Sequence, residues 1–275
     1  MNKLICKKYV LSLQKPLIMG ILNVTPDSFS DGGKYMTVEK AVDQAKKMVS
    51  EGADIIDIGG ESTRPGSEAV RIEEELRRVL PVVDRLLKEI SVPISIDTMK
   101  PEVADECLYR GVHILNDITG LRNEEMTKVA AHYNVPVIIM HMQGTPKVMQ
   151  EKPHYNDVIK EIKNYLQKQA REAQKRGISQ VIIDPGIGFG KTVEHNLLIL
   201  KHLREFKMLD YPLLVGLSRK SFIGKILDLP VEDRLEGTLT AITACLLNGA
   251  DIVRVHDVKE CKRVLKVVGA IRDAT

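Results

Sequence analysis

The chain has 275 residues, 44% hydrophobic and 28% charged, a balance that supports a sizeable core and excludes a disordered or fibrous protein. Its 40 Lys and Arg against 37 Asp and Glu leave a net charge of +3 with no basic stripe, so nucleic acid is not expected as a partner. Four dispersed cysteines without a C-x-x-C pair, an opening that lacks the apolar core of a leader, and apolar runs too short for a bilayer predict free thiols, no membrane association and a cytoplasmic location.

In chain order, the pattern predicts an extended segment over Leu4 to Leu13 and then a buried strand, LIMGILN at 17–23. The next stretch, NVTPDSFSDGG, is rich in turn formers and reads as a loop over one end of the fold. A helix is expected from Thr37 to Glu51, with Val38, Ala41, Val42, Ala45, Met48 and Val49 on one face, Thr37 as N-cap and Gly52 past its end. After the strand DIIDIGG (54–60) comes a second turn-rich loop, GGESTRPGSE, and a helix from Ile72 to Ile90 that Pro81 is expected to kink. The strands PISIDT (93–98) and VHILND (112–117) precede helices at Pro101 to Arg110 and Glu124 to Tyr133. PVIIMH (136–141) leads to a helix from Asp157 to Arg176 stopped by Gly177, and QVIIDPG (180–186) to one from Val193 to Arg204. LLVGLS (213–218) and DIVRVHD (251–257) are followed by helices at Val231 to Asn248 and Val258 to Ile271.

Continuously apolar strands are buried on both faces, which marks parallel strands covered by helices. Eight such units without a composition break predict a single α/β domain over 1–275, a (β/α)8 TIM barrel with a short N-terminal extended segment; an open doubly wound sheet is the alternative.

Barrel chemistry sits at the C-terminal strand ends, and here nearly every strand ends in a polar residue. In order these are Asn23, Asp57 with Glu61, Asp97, Asn116, His141, Asp184, Ser218 with Lys220, and Arg254 with His256. Any one could be a helix cap, but a ring of eight reads as a site for a polar ligand. Asp97, Asn116 and Asp184 suit a flat heterocycle bearing several N–H groups, with Lys220 donating to a carbonyl on its edge. Arg254 and His256 flank Val255 and so share a face, the arrangement that clamps an anion. DPGIGFGK lacks the spacing of a nucleotide loop; its glycines let the backbone approach a ring, on which Phe189 either stacks or packs. His141 has no neighbouring His or Cys in sequence and is expected to shape the pocket floor rather than bind metal.

Together NVTPDSFSDGG, DIGGESTRPG, SIDT, ND, DPGIGFGK, VGLSRKSFIG and RVHDV resemble, in order and spacing, the bacterial dihydropteroate synthases, over nearly the whole chain. Ile187 departs from the aromatic residue usual in that family's glycine loop, and VRIEEELRR is looser than its usual pattern. The resemblance implies condensation of 6-hydroxymethyl-7,8-dihydropterin diphosphate with p-aminobenzoate to give 7,8-dihydropteroate and diphosphate, and a homodimer built on helix faces. Carried over, Asp97, Asn116, Asp184 and Lys220 bind the pterin with Phe189 and Gly216 lining it. Arg254 and His256 meet the diphosphate, Asn23 and Asp31 hold a Mg²⁺ on it, and Thr63, Arg64, Pro65 and Ser221 serve p-aminobenzoate. Arg254, His256, Lys220 and Asp184 are the residues expected to carry catalysis, with no covalent nucleophile required. Two alternatives remain: a pterin-binding methyltransferase barrel, and a pterin-binding paralogue without catalysis.

Overall fold

The computed structural model describes residues 2–25, 34–62 and 66–274. The chain opens with an antiparallel hairpin of β1 (Lys3–Cys6) and β2 (Tyr9–Ser12), paired Lys3 to Ser12 and Cys6 to Tyr9. The extended segment expected over Leu4 to Leu13 is therefore folded back on itself, and Lys7 turns it with φ of 54°.

Eight parallel strands follow: β3 (Leu17–Asn23), β4 (Ile55–Gly59), β5 (Ile94–Asp97), β6 (Ile114–Asp117), β7 (Val137–Met140), β8 (Val181–Asp184), β9 (Leu214–Gly216) and β10 (Ile252–Val255). Each pairs with its chain neighbour from β3 to β8, and β10 pairs with both β9 and β3. The remaining seam is joined by a parallel bridge between Ile183 and Leu213, where the Ile183 amide donates to the Pro212 carbonyl at 2.9 Å. The sheet is thus the barrel expected, not the open alternative.

Between the strands run α1 (Lys34–Glu51), α2 (Ile72–Glu89), α3 (Pro101–Arg110), α4 (Glu124–Tyr133), α5 (Val158–Lys175), α6 (Val193–Lys201), α7 (Leu203–Lys207), α8 (Ser221–Leu227), α9 (Leu235–Leu247) and α10 (Val258–Asp273). Four differ from expectation. Helix α1 begins three residues earlier, so Thr37 is inside it and is not its N-cap. Helix α2 continues through Pro81, which lies on its exposed face, where bending toward water costs little. The helix expected from Val193 to Arg204 breaks at His202 into α6 and α7. The helix expected from Val231 is a 3₁₀ turn at Val231–Asp233 before α9, and α8 precedes it unforeseen. A seven-residue helix ending at Asp228 with φ of 54° spans too few turns to show a periodicity.

Strand parity decides what fills the barrel. Alternate side chains point in, and the lower inward positions are Leu17, Met19, Ile55, Ile114, Ile138, Ile182, Leu214 and Ile252, which pack with Leu4 and Cys6 of the hairpin. The hairpin stoppers the N-terminal end, and Gln180 locks it by exchanging two 2.8 Å hydrogen bonds with the backbone of Ile5. Outward residues such as Ile18, Ile56, Ile96 and Val253 meet Val42, Val79, Leu86 and Val258 of the helices in the main core. The same parity carries Asn23, Asp57, Asp97, Asn116, Asp184 and Arg254 inward at the opposite end, with His256 next in step.

Candidate active site

At the C-terminal mouth, Arg254 of β10 reaches across the barrel. Its Nε donates to Asp57 Oδ2 and its Nη2 to Asp97 Oδ2, both at 2.6 Å. Asn116 Nδ2 donates to the same Asp57 oxygen at 3.1 Å, so three strands and β10 converge on one hydrogen-bonded cluster. Asp57 is fully buried, and such a carboxylate is tolerable only with its charge matched. Among the described residues, Asp57 Oδ1 and Asp97 Oδ1 have no hydrogen-bond partner. Buried acceptors left unmatched in this way are uncommon in a folded core and fit a site whose polar groups are completed by a ligand. Burial pushes the Asp97 carboxyl up to about 7, although Arg254 pulls it down. For Arg254, burial works against the charge, and Asp57 with Asp97 more than offset it.

Opposite this cluster stand Asp184 of β8 and Lys220 at the start of α8. Asp184 is 6% exposed and accepts from the Gly186 amide at 2.7 Å; burial raises its pKa, with Lys220 opposing. Lys220 donates to the Ile187 carbonyl and lies over the Phe189 ring, 4.7 Å from its centroid. Burial pushes it down to about 8. A Cβ on Gly216 would stand 3.8 Å from Lys220 Nζ and 3.9 Å from Arg254 Cβ, so the lack of a side chain there keeps the space between the two cations clear. Positive φ at Gly186, Gly188 and Gly190 lets the DPGIGFGK loop fold tightly; a Cβ on Gly186 would fall 1.9 Å from the His141 carbonyl oxygen.

On the β3 side, Asn23 and His256 share an open cleft of about 520 Å³ with Lys40, Asp43 and Gln44 of α1. His256 is placed by Ser218, whose hydroxyl accepts from its amide at 3.2 Å and meets its Nδ1 at 2.9 Å. Ser221 opens α8 beside Lys220. Asp31, Thr63, Arg64 and Pro65 lie outside the described residues.

Two strand-end residues stand apart from the ring the sequence suggested. Glu61 turns away to Lys100 at 2.5 Å, and His141 sits between the Tyr155 and Tyr165 rings with Lys191 Nζ 3.1 Å from its Nδ1. Burial pushes His141 down to about 2, which favours a neutral ring under the glycine loop. Two residues exceed what sequence reasoning assigned. Asp57, to which the sequence gives only a place at a strand end, is the hub of the cluster. Lys191, 3% exposed, ties the glycine loop to β7 by donating to the carbonyls of Phe189 at 2.9 Å and His141 at 3.3 Å. A lysine inside a glycine-rich turn was the available signal.

Comparison with known proteins agrees with this fold. A family model described as pterin binding enzyme matches residues 19–256. The dihydropteroate synthase of Escherichia coli (strain K12) is 47% identical over 274 residues, 99% of this chain and 97% of the relative. The Yersinia pestis dihydropteroate synthase, solved with a sulfonamide drug complex, superposes with a TM-score of 0.94 at 44% identity, covering 99% of this chain and 100% of that one. The Xanthomonas albilineans enzyme in complex with 7,8-dihydropteroate gives 0.90 at 40% identity over 99% and 100% of the two chains.

Proposed function

The chain belongs to the dihydropteroate synthases within the pterin-binding enzyme family, and from that premise we propose which of its side chains carry the reaction. The enzyme transfers the pterin moiety of 6-hydroxymethyl-7,8-dihydropterin diphosphate to p-aminobenzoate, forming 7,8-dihydropteroate and diphosphate. With that function, methyl transfer and a non-catalytic paralogue fall away.

The observation that carries the assignment is the Asp57–Arg254–Asp97–Asn116 cluster at the barrel mouth, with Asp184 and Lys220 on the other side of it. Asp97, Asn116 and Asp184 bind the N–H-rich edge of the pterin, Lys220 donates to its carbonyl, and Phe189 and Gly216 bound the ring. The pterin CH₂–O bond breaks, the electron pair leaves with diphosphate, and the aryl nitrogen bonds to the methylene and loses a proton. Positive charge developing on the methylene is met by Asp97 and Asp184, and negative charge on the leaving group by His256 and the guanidinium of Arg254, electrostatic contributions of the kind that dominate such steps. An aromatic amine is neutral at pH 7 and needs no base to attack. Ser221 belongs to the p-aminobenzoate side, to which we also assign Thr63, Arg64 and Pro65.

A Mg²⁺ fits the residues present: Asn23 offers one hard amide oxygen in the cleft it shares with His256, no cluster of His, Cys, Asp or Glu closes around it among the described residues, and this ion commonly takes only one or two protein ligands with the rest from phosphate and water. When bound it would neutralise charge on the leaving diphosphate; Asp31 is the second ligand we propose. We further propose a cytoplasmic homodimer. The four cysteines are all free and buried, as suits a reducing compartment, and no helix of the described residues is long and apolar enough to cross a membrane. Ile226, Leu227, Leu229 and Val231 around the end of α8 are exposed apolar side chains of the sort a second copy covers.

Diphosphate release from both substrates tests the assignment. Arg254→Ala should cut turnover by roughly 100-fold or more while changing affinity for a pterin lacking diphosphate far less, because its charge contact grows as the bond breaks. Excess chelator should remove most of the wild-type rate. Full activity in chelator overturns the metal assignment, and an equal loss of affinity and turnover in the variant overturns the role given to Arg254.

A further inference from the structure

Lys191 is a buried lysine to which the reaction as assigned gives no part. It is 3% exposed, and its Nζ meets three polar atoms: the Phe189 carbonyl at 2.9 Å, His141 Nδ1 at 3.1 Å and the His141 carbonyl at 3.3 Å. Burial pushes its pKa well below the usual lysine range, with Asp184 opposing. A methionine of similar length would fill the same space without taking an amine out of water. The polar head, not the stem, is therefore the feature that calls for a role.

What the head grips is the turn of the glycine loop that carries an aromatic ring. The loop lies directly on the exit of β7: a Cβ on Gly186 would stand 1.9 Å from the His141 carbonyl oxygen, and one on Gly190 2.6 Å from that of Gln143. Neighbouring side chains fix the glycines on either side of Phe189, Asn196 Oδ1 accepting from the Gly188 amide at 2.7 Å and Tyr155 Oη donating to the Gly190 carbonyl at 2.8 Å. Lys191 fixes the Phe189 peptide between them. Gly188 and Gly190, both at positive φ, restrict the backbone little by themselves, so the direction of the Phe189 ring depends on these hydrogen bonds. That ring is half-buried, joins the cluster of Met140, Met142 and Met149, and lies beneath Lys220 Nζ at 4.7 Å.

We propose that Lys191 is a positioning residue for the pterin: by tying the Phe189 carbonyl to the end of β7 it sets the Phe189 ring as one wall of the ring slot. The inference rests on the assignment of Phe189 to the pterin. Lys191 touches no substrate and acts through Phe189, so its effect should exist only while that ring is present.

Calorimetry with 6-hydroxymethyl-7,8-dihydropterin, the substrate without its diphosphate, tests this through a double-mutant cycle. Lys191→Met should raise the Kd roughly five- to tenfold, the scale of one lost hydrogen bond. In a Phe189→Ala background the same substitution should change the Kd by less than about twofold, because the group through which it acts is gone; a merely structural role would weaken binding equally in both backgrounds. Wild-type Kd in Lys191→Met, or an equal loss with and without Phe189, overturns the proposal. If Lys191→Met does not fold by circular dichroism, Lys191→Gln, which keeps an amide donor without charge, carries the same cycle with a smaller loss. Phe189→Ala that binds the pterin like wild type overturns the assignment of Phe189 and the proposal with it, whereas a weakened Phe189→Ala beside an unaffected Lys191→Met overturns the proposal alone.

Discussion

At the scale of single residues, the site is a set of buried charges matched across strands. Asp57 holds Arg254 and Asn116 through one oxygen, which couples the side of the mouth assigned to the pterin with the side assigned to diphosphate. Asp184 has a double task, accepting from the Gly186 amide while facing the ring. Asp184→Ala should therefore weaken pterin binding by about 1 to 3 kcal/mol or somewhat more, with circular dichroism unchanged; calorimetry giving wild-type pterin affinity would remove it from the site. Protonation should be visible as well. Asp97, pushed up to about 7 by burial, accepts fully only above that pH, and Lys220, pushed down to about 8 by burial, donates as an ammonium only below that one. Affinity for a pterin without diphosphate should peak between about 7 and 8 and decline on either side. Lys220→Met should bind more weakly and lose the alkaline decline while keeping the acid one; a variant that retains both would show that another group governs the upper limb.

At the scale of elements, the N-terminal hairpin is a stopper whose contribution is stability. Leu4 is fully buried against the lower barrel layer, on the opposite end from the chemistry. Truncation there should leave a cavity that the surrounding strands cannot collapse into, so Leu4→Ala is expected to cost about 2 to 5 kcal/mol. Chemical denaturation measures it, and the KM values for both substrates should stay at wild-type levels. A rise in either KM would mean that the hairpin communicates with the mouth. The glycine loop behaves oppositely: its three left-handed glycines and the Lys191 staple are spent on holding Phe189 and Lys220 against each other, and their value is functional.

At the scale of the whole molecule, the closed barrel explains how residues far apart in sequence meet. Asp57 and Arg254 are separated by 197 positions, and they touch because β10 pairs with β3, which pairs with β4. Closure also brings α8 and α9 into contact, with Ile226 and Leu227 of α8 and Leu247 of α9 left exposed. The proposed homodimer is tested by analytical ultracentrifugation: wild type should sediment at twice the 30.8 kDa chain mass, and the double variant Leu227→Glu/Val231→Glu at the mass of one chain. A wild-type monomer at micromolar concentration would remove the helix-face dimer.

Much of this was legible in the sequence because both signals involved are local. Unbroken apolar runs with glycine and proline punctuation state that the strands are parallel and buried, and the parity of a strand states that Asp57, Asp97, Asn116 and Arg254 share its inward face. What adjacency cannot carry is the pairing of charges. The sequence offered Arg254 as an anion clamp, whereas the barrel ties two of its nitrogens to Asp57 and Asp97, and Glu61, which lies at a strand end like the others, is claimed by a lysine 39 positions on. The hairpin at the barrel floor and the short helix α8 escaped for a related reason: four-residue strands and a two-turn helix have too few side chains to show a period, and their stability comes from the surfaces they cover. Sequence by itself determined which way each side chain faces; only tertiary closure, which decides what stands within hydrogen-bond distance in a medium that cannot solvate a lone charge, determined which of them act together.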